Sequence, residues 1–211
     1  KHTYCQAFFI YAMSSYYDAS KDKAALELAL DVFATVEEKC RDDVAYLEAF
    51  SKDWNLIPND ALSENGLMAD KTMNTTLHVM EAYTELYRVS GDKRVLKALR
   101  FTLEITLDKI YDRNGGKLFV FFDKNLNEIG DIYSYGHDIE ATWLIDRACD
   151  VIGDEHLSKR CAEMNKVIVK NIADRALSNG RLNNEVEHGV VNTWHIWWVQ
   201  AEGAVGFCNA Y

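Results

Sequence analysis

A single proline, Pro58, interrupts a chain of 211 residues. Proline blocks a helical hydrogen bond and collides with the preceding turn, so its scarcity leaves a mostly helical chain open. The five cysteines, Cys5, Cys40, Cys149, Cys161 and Cys208, stand singly with no C-x-x-C pair. That argues against a cysteine zinc site and a disulfide framework, and fits reduced core thiols in a cytoplasmic protein. Basic clusters are also missing: 23 Lys and Arg face 33 Asp and Glu, a formal charge of −10. Nucleic acid and anionic membrane surfaces are therefore poor partners, because a polyanion would be repelled. No apolar run approaches the ~20 residues that span a bilayer, and no charged-then-apolar leader opens the chain. No H-x-x-x-H pair occurs, and no metal site is expected.

What the sequence does have is hydrophobic periodicity. With 48% hydrophobic and 27% charged residues, one globular unit with a sizeable core is expected. From Tyr4 to Tyr17, Phe8, Phe9, Tyr11, Ala12 and Tyr16 are dense enough to predict an inner helix buried on more than one side. Lys23 to Lys39 repeats Ala25, Leu28, Ala29, Val32, Phe33 and Val36 at threes and fours, the pattern of a one-sided outer helix capped by Asp22. The couplet recurs at Asn74 to Val89 with Lys93 to Tyr111, and at His137 to Ile152 with Glu155 to Ile172. Gly91 and Gly153 fall where a C-cap needs positive φ, and Asp92 and Asp154 where the next helix needs an N-cap acceptor. The first copy has Lys21 in place of the glycine.

Asp22, Asp92 and Asp154 stand 70 and 62 residues apart, so the repeating unit is a helical hairpin with a tight inner turn and a long outer connection. Those connections run over residues 41–72, 113–134 and 176–192, long enough to predict a functional role. The second predicts a β-hairpin, Lys117 to Phe122 with Glu128 to Tyr133 around Asp123-Lys124-Asn125, and the third another around Gly180 and Gly189. A fourth inner helix is expected from Trp194 to Ala210, without an outer partner. Its bare apolar surface, and a hairpin number that closes no ring, predict that residues 1–211 form one incomplete domain lacking N- and C-terminal hairpins. Such a fragment is expected to self-associate through its exposed apolar ends.

The chemistry-bearing residues follow the same repeat. His137 and Glu140 lie one turn apart at the start of an apolar helix. Steps of 62 from Glu140 land on His78 and Glu202, and the same steps link Asn74, Gly136 and Trp198. A closing repeat would aim these groups at one axis, so a shared cavity at the N-terminal ends of the inner helices is expected. Core or rim packing is the simpler reading of Trp143 and Trp194, and surface exposure that of His188 and His195.

At Asn74-Thr75-Thr76-Leu77-His78, Ser134-Tyr135-Gly136-His137-Asp138-Ile139-Glu140-Ala141 and Trp197-Trp198-Val199-Gln200-Ala201-Glu202, the sequence resembles the N-acylglucosamine 2-epimerase superfamily. The Gly-His-Asp-Ile-Glu wording is most similar to its cellobiose 2-epimerase branch. The resemblance implies an all-α fold, part of an (α/α)6 barrel, with short β-hairpins in the long loops. It implies a cofactor-independent isomerase that interconverts glucose and mannose configurations at the reducing end of cellobiose-like β-1,4-disaccharides. His137 matches one histidine of an acid/base pair, His78, Glu140 and Glu202 other essential polar residues, and Asn74, Trp198 and Trp197 sugar contacts. The second histidine of the pair and an N-terminal sugar-binding arginine have no counterpart here, so this segment alone is expected to be inactive.

Residue chemistry points the same way. Inverting C2 requires removing the proton α to the open-chain aldehyde, stabilising an enediolate and returning a proton to the other face. Histidine can take and give that proton near neutrality, and helix N-termini stabilise developing negative charge. Three alternatives stay open at this point: an N-acylglucosamine 2-epimerase or an aldose-ketose isomerase of the same superfamily, a toroid glycosidase using Glu140 and Glu202 as acid and base, and a helical-repeat module that only binds sugar.

Overall fold

Seven helices, each of 13 residues or more, dominate the computed structural model, which describes residues 1–59 and 67–211. In chain order they are α1 (Thr3–Ser20), α2 (Lys23–Lys39), α3 (Met73–Ser90), α4 (Lys93–Ile105), α5 (Tyr135–Ile152), α6 (Glu155–Arg175) and α7 (Trp197–Ala210). Among the described residues, nine short strands lie in the connections: β1 (Lys71–Thr72), β2 (Tyr111–Asp112), β3 (Lys117–Leu118), β4 (Phe121–Phe122), β5 (Ile132–Ser134), β6 (Leu177–Ser178), β7 (Arg181–Leu182), β8 (Glu185–Glu187) and β9 (Val190–Asn192). The chain divides into two compact units, residues 1–106 with 121–129, and residues 107–120 with 130–211.

Cap chemistry sets the hairpins. The side chains of Asp22, Asp92 and Asp154 accept the amides of Ala24, Arg94 and Leu157 at 3.0, 2.8 and 3.0 Å. Before each aspartate the chain turns through a left-handed residue, Lys21 (φ 59°), Gly91 (φ 64°) or Gly153 (φ 68°). Lys21 takes that conformation despite its Cβ, and its ammonium reaches the Asp18 carboxylate at 2.9 Å.

In the first unit α1 packs on α2 and α3, and α3 packs on α4. Ala7 and Ile10, Ala29, Phe33 and Val36, Leu77, Met80, Tyr83 and Leu86, and Leu99 and Leu103 form its core, each almost fully removed from solvent. Helix α3 is buried along most of its circumference, as expected of an inner helix. Helix α1 is not: Thr3, Ala7, Ile10 and Ser14 are buried, while Phe8, Phe9, Tyr11 and Tyr16 are exposed. The expected burial on several sides fails because α2 and α3 cover a single stripe.

In the second unit α5 packs on both α6 and α7. Ile139, Leu144, Ile145 and Ala148 meet a core that includes Leu157, Cys161, Met164, Ile168 and Ile172. Helix α7 begins at Trp197, three residues later than expected, and buries only Val199, Gly203 and Gly206. Trp194, read from the sequence as core or rim packing, is 72% exposed and so is not core.

The connections correct the strand expectations. Helix α4 ends at Ile105 and continues as a π-helical turn, Thr106–Ile110, instead of running to Tyr111. The predicted 117–122 with 128–133 hairpin splits. In the second unit β3 pairs with β2, and β5 with β8; in the first, β4 pairs with β1, and only the Phe122–Glu128 bridge remains of the expected ladder. Non-local partners out-competed the local turn. The last connection holds two hairpins, β6–β7 and β8–β9, each turning through two positive-φ residues, Asn179-Gly180 and His188-Gly189, the torsions a tight two-residue turn requires. Residues 60–66 of the expected 41–72 connection lie outside the described residues.

Candidate active site

In the first unit the candidate groups are set by the way α3 starts. Thr72 caps it, its Oγ accepting the Thr75 amide at 3.0 Å. Glu48, 1% exposed, accepts from the Thr72 amide at 2.8 Å, the Thr72 hydroxyl at 2.9 Å and the Thr75 hydroxyl at 2.7 Å. Burial pushes the Glu48 carboxyl up to about 7, against the pull of those donors. This network fixes the first turn of α3, which carries Asn74, half-buried at the second helical position.

One turn further, His78 Nδ1 stands 3.1 Å from Glu81 Oε2, and its ring centroid lies 4.7 Å from that of Phe8 and 6.5 Å from that of Tyr4. Glu81 was not picked out from the sequence, although it sits three residues from His78 as Glu140 does from His137.

In the second unit β5 delivers the chain into α5. Ser134 pairs with Glu185 in the β5–β8 ladder and occupies the N-cap position of α5, but its side chain makes no capping bond. Its Oγ instead lies 2.7 Å from His137 Nδ1. Over the same imidazole stands the indole of Trp198 from α7, centroids 4.8 Å apart and planes inclined by 53°. That approach depends on Gly136: a Cβ there would lie 2.6 Å from the Trp198 ring and 2.7 Å from the Val199 side chain. The sequence link between Gly136 and Trp198 is thus a packing contact.

Glu202, one turn beyond Trp198, accepts a hydrogen bond from Trp143 Nε1 at 2.8 Å. Trp143, read from the sequence as packing alone, is therefore also the donor that holds this carboxylate. Glu140 is buried at 8% exposure. Trp197 is 80% exposed. Asp138 is fully buried, and both its oxygens lie 3.3 Å from the Leu118 amide. Burial pushes its carboxyl well above the usual range, opposed by that amide and by the Lys117 charge. The surface reading holds for His188, whose side chain is 73% exposed, and for His195.

Each unit thus presents a histidine in the N-terminal half of a buried helix with an aromatic ring against it, and His137, in the first turn of α5, lies beside backbone amides whose partial positive charge favours an anion. The second unit adds an indole face suited to a sugar ring and an anchored carboxylate suited to its hydroxyls. Among the described residues, no three His, Cys, Asp or Glu side chains cluster closely enough to hold a metal ion. No helix among the described residues is long and apolar enough to cross a membrane.

These features define a chain of helical hairpins with a histidine-centred polar site. The sequence model of the N-acylglucosamine 2-epimerase (GlcNAc 2-epimerase) family matches residues 1–210, and the chain belongs to that family. It is 56% identical over its whole length to a protein of Ruminococcus albus named cellobiose 2-epimerase, of which it covers 54%. A solved sugar epimerase from a ruminal bacterium superposes with a TM-score of 0.98 at 55% identity, over all of this chain and 54% of that one. The cellobiose 2-epimerase of Bacillus thermoamylovorans B4167 does so at 0.91 and 40%, over 100% and 55%. The all-α reading, part of an (α/α) barrel, agrees with these structures. The chain spans about half the length of the curated relatives it matches.

Proposed function

We propose that the full-length protein carrying this chain is a cofactor-independent sugar 2-epimerase, interconverting glucose and mannose at the reducing end of cellobiose-like β-1,4-disaccharides. The observation that supports it best is His137, tied at one nitrogen to Ser134 and faced by Trp198, in a chain 56% identical throughout to a relative named cellobiose 2-epimerase. In this reading His137 takes the C2 proton of the open-chain aldose or returns it to the opposite face. The electrons left on C2 delocalise onto O1 as an enediolate, which helix N-termini and polar side chains stabilise. Trp198 and Trp197 contact the sugar, and Glu202, Glu140, His78 and Asn74 supply polar contacts. The five unpaired cysteines support a reducing compartment, the cytoplasm.

The test is to run the full-length protein on cellobiose in D₂O and follow C2 by proton NMR. Solvent deuterium at C2 of a glucosyl-mannose product is expected. His137→Asn should lower kcat by about 10²- to 10⁴-fold, the usual cost of losing a general acid or base, with little change in binding. Release of glucose would instead identify a hydrolase, and binding without C2 exchange a module that only holds sugar. Epimer formed without deuterium would eliminate the proton-transfer role.

A further inference from the structure

Residues 182–185 run between the starts of two helices. At one end they meet α5: Ser134 pairs with Glu185, and the Tyr135 amide donates to the Asn184 carbonyl at 3.2 Å. At the other end they meet α7. The Leu182 amide donates to Gln200 Oε1 at 3.0 Å, and Gln200 Nε2 donates to the Leu182 carbonyl at 2.8 Å. One side-chain amide thus closes on both backbone groups of a residue, as a neighbouring strand would. Leu182 is 3% exposed, where an unpaired amide or carbonyl is costly. Its side chain is seated too: a Cβ at Gly203, one turn beyond Gln200, would lie 2.4 Å from Leu182 Cδ1. The segment is fixed in turn to the end of α6, since Leu182 pairs with Leu177 and the Asn183 amide donates to the Ala176 carbonyl at 3.0 Å.

We infer that Gln200 is a positioning residue for Trp198: through Leu182 it ties α7 to the same segment that holds the start of α5, which keeps the Trp198 indole against the His137 ring and raises sugar affinity. This rests on the proposed epimerase reading. Gln200 lies two residues from Trp198 and two from Glu202 near the start of α7, yet its amide is spent on the hairpin. The contact between α7 and α5 explains the need. Gly206 lies against Ile139 as Gly136 lies against Trp198 and Val199, and glycine faces let two helices approach closely without interlocking side chains. Such a contact sets distance better than register. A directional pair of hydrogen bonds supplies the register, so Gln200 acts through the indole and not on the reacting atoms.

The test uses the full-length protein. Gln200→Met keeps the length of the side chain and removes both hydrogen bonds. KM for cellobiose should rise about five- to tenfold, the lower part of the usual range of coupling between sites, with kcat within about twofold, the signature of lost binding. In a Trp198→Ala background the same change should raise KM by less than about twofold, because the group it positions is gone. A merely structural role would lower thermal stability and leave the two KM effects multiplying. That result overturns the inference, as does a folded Gln200→Met with wild-type KM. A measurement on the wild type covers variants that do not fold. Coupling is reciprocal, so saturating cellobiose should slow hydrogen exchange at the Leu182 amide about five- to tenfold relative to the amides of α2; unchanged relative exchange overturns the inference. A wild-type protein that fails to exchange the C2 hydrogen sinks the epimerase reading itself, a different result.

Discussion

Glu48 offers the sharpest test of how the first unit is held together. Its carboxyl is 1% exposed and raised from 4.5 to about 7 by burial. In the unfolded chain it titrates in water near 4.5, so between the two values the folded protein keeps a proton that the unfolded chain releases. Stability contributed by the neutral, buried acid is therefore complete below about pH 4.5 and is lost as pH rises towards 7. At about 1.4 kcal/mol for each tenfold change, the loss is about 3 kcal/mol, a large share of an ordinary stability of roughly 5–15 kcal/mol. Glu48→Gln imitates the neutral form. Its carbonyl can accept the Thr72 amide and hydroxyl, and its NH₂ can donate to the Thr75 hydroxyl, which then turns to accept. Urea unfolding of wild type and Glu48→Gln in the full-length protein, from pH 4.5 to 8, should show the variant gaining about 3 kcal/mol relative to wild type as pH rises. Groups common to both proteins cancel in that difference. A difference that stays flat across the range would show that the three threonine donors hold Glu48 ionised, and the argument would fail.

Gly136→Ala should lose about 1–3 kcal/mol of stability and weaken sugar binding, because its Cβ would strike Trp198 and Val199; thermal unfolding showing the ordinary gain of a helix Gly→Ala change would refute this. Trp143→Phe keeps the packing but removes the donor to Glu202, and kcat/KM should fall about tenfold, the scale of one hydrogen bond to a charged group; steady-state kinetics at wild-type level would remove Glu202 from the site. Residues 1–211 expressed alone expose Phe8, Phe9 and Tyr16 on α1 and Trp197 and Val205 on α7. They should associate in sedimentation or light-scattering measurements, and a monodisperse monomer would contradict that expectation.

The helices were legible because each is specified locally: an aspartate cap, a left-handed residue before it and a 3.6-residue apolar period all fall within a few positions of one another. Strand pairing was not, because a two-residue strand carries no period of its own. Lys71-Thr72 finds Phe121-Phe122 across 50 residues, and the Asp123-Asn127 turn, though it forms, with the Asp123 amide donating to the Asn127 carbonyl at 2.9 Å, cannot dictate which strands flank it. The exposure of the α1 aromatics was hidden for a related reason. Periodicity says how many faces of a helix are apolar, and neighbours decide how many are covered.

The candidate site divides along the same line. His78, Glu140, Glu202, Asn74 and Trp198 could be picked out by register, because a repeat puts equivalent positions on equivalent faces, and His137 by its place one turn before Glu140. The groups that hold them could not. Ser134 stands at an N-cap position and Trp143 in a dense apolar run, where capping and packing are the ordinary uses of those residues. Glu48 lies 24 residues from Thr72 with nothing in its neighbourhood to mark it. A reacting group must be of a particular type at a particular register, whereas its support can be any donor or acceptor that the fold brings within 3 Å or so. Sequence pattern therefore points to His137. Only the folded backbone shows that the Ser134 hydroxyl, at the N-cap position, lies against that ring and makes no capping bond.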